Sequence, residues 1–78
     1  METSKFLSLL TEYMEIESSN LTVDTELKSL PEFGSLSIMS IIALVDEHFD
    51  KTISAKDLGN VVTINDLMSL IGRENFSA

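Results

Sequence analysis

Between Ser35 and Phe49 the chain places Ile38, Ile41, Ile42, Val45 and Phe49 at i, i+3, i+4, i+7 and i+11. Only an α-helix brings that spacing onto one face, and an apolar face of this length must be buried against other elements. The neighbouring segments supply matching faces. Residues 4–16 carry Phe6, Leu9, Leu10, Tyr13 and Ile16 at helical spacing, with Thr3 or Ser4 as candidate caps and Glu17-Ser18-Ser19-Asn20 as the stop. A short helix is expected from Ser54 or Ala55 to Leu58, closed by Gly59-Asn60. Thr63 caps a last helix whose stripe is Ile64, Leu67, Met68 and Ile71, ended by Gly72. Val61-Val62 is the only β-like pair and is too short for a sheet.

These elements predict an all-α fold, a small four-helix bundle of three longer helices and one short third helix, formed as a single domain by residues 1–78. Phe6, Leu9, Tyr13, Leu27, Ile38, Ile41, Val45, Phe49, Leu58, Ile64, Leu67 and Ile71 are the expected interior. The stretch from residue 17 to 34 has no steady period. Its apolar anchors Leu21, Val23, Leu27, Leu30 and Phe33 read as a pinned loop, with a short turn of helix near Thr25–Lys28. The chain has no cysteine, so packing alone must hold the fold, and no thiolate is available for catalysis or for metal.

Thirteen acids against five bases give a formal charge of −8. That balance disfavours nucleic acid and anionic lipid and suits basic patches on other proteins. No apolar run is long enough to span a membrane, and the first residues do not form a signal peptide, so a cytoplasmic monomer is expected.

Several residues exceed what the bundle needs. Leu36, Met39 and Ala43 form a second apolar stripe on the main helix, either buried on a second side or open to a partner. Asp46, Glu47 and Asp50 crowd that helix's C-terminal end, where the macrodipole favours cations. They form either a solvated acidic face or a surface read by a basic partner. Ser35 opens the helix, as an N-cap preceded by Gly34. The only histidine, His48, lies 13 residues along, about 20 Å from Ser35 on a helix, so no serine–histidine–acid site can form. One histidine without cysteine makes no zinc site, and Gly34, Gly59 and Gly72 make no phosphate loop. No catalytic residue is assigned. Any chemistry at Ser35 belongs to another protein's active site.

The segment Leu30-Pro31-Glu32-Phe33-Gly34-Ser35-Leu36 resembles the modification motif of the acyl carrier protein family, usually Asp-Ser-Leu after an aromatic or apolar residue. Ile41-Ile42-Ala43-Leu44-Val45-Asp46-Glu47-His48-Phe49 resembles the family's second helix, and Val62-Thr63-Ile64-Asn65-Asp66-Leu67 the start of its last. The resemblance implies 4′-phosphopantetheine attached to Ser35 by a phosphopantetheinyl transferase, with coenzyme A as donor. It implies an acyl or aminoacyl thioester on that arm, and loading and processing enzymes with basic patches that dock at Leu36, Met39, Asp46 and Glu47. Gly34 stands where the family usually has aspartate, and Ser37 and Ser40 stand where members serving fatty-acid synthesis have acids. Two readings follow: a stand-alone carrier for a specialised pathway, or a carrier-like interaction module that stays unmodified.

Overall fold

A computed structural model describes residues 1–16, 21–30 and 33–77. It contains four α-helices among these residues: α1 (Thr3–Tyr13), α2 (Ser35–Phe49), α3 (Ala55–Gly59) and α4 (Ile64–Ile71). Single 3-10 turns lie at Leu27–Ser29 and Arg73–Asn75, and no β-strand occurs among the described residues. The all-α class and the order of three longer helices and one short one follow the sequence expectation.

The boundaries differ in several places, and at the start of α1 Glu2, not Thr3 or Ser4, is the N-cap. α1 stops at Tyr13 rather than Ile16, because Glu15 turns left-handed at φ 55°. The Ile16 N–H then reaches back to the Thr11 carbonyl at 3.0 Å and the Glu15 N–H to Glu12 at 3.3 Å, the pair of bonds that closes a Schellman motif. Ile16 is still buried, as the apolar residue just past such a stop commonly is. The Glu17–Asn20 stop and Pro31 lie outside the described residues. The expected turn near Thr25–Lys28 falls two residues later, at Leu27–Ser29.

Phe6, Leu10, Ile41, Leu44, Val45, Ile64, Leu67 and Ile71 are fully buried, with Leu27, Leu58, Val61 and Ile53 beside them. Leu9, Tyr13, Ile38 and Phe49, expected inside, only pack against this core. On α2 the buried row is Ser37, Ile41, Leu44 and Val45. The helix is apolar on so many sides that spacing alone left its rotation open by about one residue.

Backbone bonds hold the long loop. Leu27 N–H donates to the Val62 carbonyl (3.0 Å), Ile64 N–H to Thr25 (3.0 Å) and Asn65 N–H to Val23 (2.8 Å). Two lysines close helix C-termini from other segments. Lys28 Nζ donates to the Gly59 carbonyl at 2.8 Å and Lys51 Nζ to that of Ile71 at 2.5 Å, where carbonyls lack helical partners and the dipole favours a cation. At the far end of α2, Phe49 joins Phe6 (centroids 5.9 Å apart) and Phe76 (5.2 Å) in a cluster of rings.

Candidate functional site

α3 and α4 begin with full capping boxes. Ser54 Oγ accepts from Asp57 N–H at 3.1 Å while Asp57 accepts from Ser54 N–H at 3.0 Å. Thr63 Oγ1 accepts from Asp66 N–H at 3.2 Å, and Asp66 accepts from Thr63 N–H and Val62 N–H at 3.1 and 3.2 Å. The backbone donors of Thr63 and then Val62, helped by the Thr63 side chain and the Arg73 charge, hold the Asp66 carboxyl below the usual aspartate range.

α2 begins differently. Gly34, not Ser35, is its N-cap, and Ser35 is the first helical residue. The cap position therefore offers no side-chain acceptor to the first turn, and that turn contains no acid. One reciprocal bond remains, from Gly34 N–H to Ser37 Oγ at 3.3 Å. This corrects the sequence expectation of a serine cap. It also frees the serine: Ser35 is exposed, and its hydroxyl bonds to no other described residue.

Leu36 is 82 % exposed and Met39 69 % exposed, and Ala43 is exposed as well. The second apolar stripe thus faces solvent beside Ser35 rather than a second core. Asp46, Glu47 and His48 are exposed farther along the helix. Of the two acids, Glu47 has a partner that sequence spacing does not reveal. The Tyr13 hydroxyl of α1 donates to its carboxylate and lies 3.2 Å from His48 Nε2, with the two rings edge-on at 5.8 Å. The hydrogen bond to Glu47, then burial and the charges of Glu47 and Glu12, push the Tyr13 phenol above its ordinary pKa. Ser37 is buried and Ser40 half-buried, so these two are not part of the fully exposed row.

A family model described as phosphopantetheine attachment site matches residues 4–71. The chain belongs to this family. No curated protein and no solved structure matches it. Members of the family bear covalently attached 4′-phosphopantetheine, and the protein accordingly has a phosphopantetheine-carrying role. Such carrier domains are non-catalytic and interact with phosphopantetheinyl transferases and biosynthetic enzymes. Among the described residues no helix is long and apolar enough to cross a membrane.

The residues at the start of α2 fit this arm. An exposed hydroxyl with no bond to another described residue is open to modification, and a phosphodiester formed there would lie at the positive end of the helix. Gly34 does not mark a lack of space, since a Cβ built there meets nothing within 4 Å.

Proposed function

We propose that Ser35 is the attachment point and that the protein carries an acyl or aminoacyl group for partner enzymes of a specialised biosynthetic pathway. The observation that carries this reading is the exposed, unbonded Ser35 hydroxyl at the first position of α2. In the transfer, Ser35 Oγ bonds to the pantetheine-bearing phosphorus of coenzyme A. The phosphoanhydride P–O bond breaks, 3′,5′-adenosine bisphosphate leaves, and the serine proton passes to a base of the transferase. When bound, the arm supplies the thiol that a cysteine-free chain lacks, and holds its cargo there as a thioester. Leu36 and Met39 give partner enzymes an apolar landing strip beside the serine, with Asp46 as a charged contact farther along.

The second reading, an unmodified interaction module, draws on Gly34 in place of the family's aspartate. Intact-mass measurement of the protein isolated from its native host separates the two. The carrier reading expects a phosphopantetheine adduct that Ser35→Ala removes. That variant should fold normally, because the hydroxyl it deletes has no partner among the described residues. Unmodified protein from that host would leave only the interaction module.

A further inference from the structure

The acids Asp46 and Glu47 are adjacent in sequence and both exposed, but the structure gives them different neighbours. At 3.6 residues per turn, Asp46 lies about 20° around α2 from Ser35 and about 16 Å along it, on the row that holds Met39. Glu47 lies about 120° around, on the side facing α1. There its carboxylate accepts a hydrogen bond from the Tyr13 hydroxyl. With its one hydrogen directed at Glu47, the hydroxyl is left as an acceptor toward His48 Nε2, 3.2 Å away, in the tautomer that protonates that nitrogen. From Ser35 to Val45 the helix contains no ionisable side chain, and its only two acids are these.

We infer that Glu47 is a positioning residue, clasped by Tyr13 to set α2 against α1, and that Asp46 alone supplies the ionic contact on the face of α2 that meets the transferase. The inference rests on the carrier reading of Ser35 and refines it. The fitting partner surface is apolar opposite Leu36 and Met39, with one cationic group about 16 Å from the serine to meet Asp46. Charge complementarity argues for this: α2 itself offers a basic patch no counter-charge before Asp46. A carboxylate with one oxygen held by the Tyr13 phenol is also fixed toward α1, away from the row of Ser35 and Met39.

The test uses coenzyme A and a broad-specificity phosphopantetheinyl transferase as probe, reading arm transfer by intact mass. Asp46→Asn is expected to raise the KM for the carrier roughly two- to fivefold, the range of an exposed ion pair, and to flatten its salt dependence. Glu47→Gln retains an oxygen to accept from Tyr13 and leaves KM unchanged. In a Tyr13→Phe background the freed Glu47 steepens the salt dependence, and Glu47→Gln then raises KM. Equal KM changes for Asp46→Asn and Glu47→Gln in the native background would overturn the division of roles. Thermal melts test the clasp independently of transfer. Tyr13→Phe and Glu47→Ala should be non-additive, whereas Tyr13→Phe and Asp46→Ala should add; additivity in the first pair sinks the clasp. A wild-type chain that takes no arm counts against the carrier reading itself, and leaves the melts to decide the clasp.

Discussion

The start of α4 and the start of α2 solve the same problem in opposite ways. Both are helix N-termini with backbone donors that the helix cannot satisfy. At α4 a threonine and an aspartate take up those donors, and the first residue, Ile64, is fully buried. At α2 the cap is a glycine, the first turn has no acid, and the first two residues, Ser35 and Leu36, are exposed. The difference separates a helix end that serves the fold from one left open to an outside reagent. Side-chain caps close the α4 end, while the α2 end, where the arm is proposed to attach, has no side-chain acceptor at its cap position.

The largest effect should come from breaking the closed end. Thr63→Ala removes the acceptor for the Asp66 N–H and is expected to cost about 1 kcal/mol, seen as a lower Cm in urea with an unchanged slope. Next comes the acid side of the same box. The Asp66 pKa is lowered on folding from 3.8, so its contribution is complete above that value and is lost as pH falls through the lower folded-state pKa. Asp66→Asn should therefore lower Tm at neutral pH, with the gap to wild type closing below about pH 4; a gap that stays constant across the acid range would count against the box. The smallest change sharpens the comparison from the open end. Gly34→Asp has room for its Cβ and places an acid at the positive end of α2, so it should stabilise by a few tenths of a kcal/mol in the same urea experiment.

Much of this was legible in the sequence, for reasons that differ by element. α4 has one apolar face and, Leu70 apart, a polar remainder, so its stripe Ile64, Leu67, Met68 and Ile71 is also its buried set. α2 has apolar residues on most sides, so its existence was clear while its rotation was not, and Leu44 rather than Ile38 reached the centre. The exposed strip at Leu36 and Met39 was visible only as one of two alternatives, since burial depends on what packs nearby. The boxes at Ser54–Asp57 and Thr63–Asp66 carry a readable i, i+3 signature. The aspartate of each box was the part missed. The lysine caps and the Tyr13–Glu47 bond have no such signature. They join residues 20 or more positions apart, and only the packed helices bring them together.

The ring cluster at Phe49 has a mechanical consequence for the other end of the same helix. Phe6 and Phe76 grip α2 at its last residue, and the next anchors, Val45, Leu44 and Ile41, follow within about two and a half turns. Ser35 stands almost two turns beyond Ile41, where the only buried side chain is Ser37. The helix is thus a beam clamped at its base, with Ser35, the proposed attachment point, at the tip. A partner pressing on Leu36 loads the end with the least support, while the clamp keeps the direction of the beam fixed.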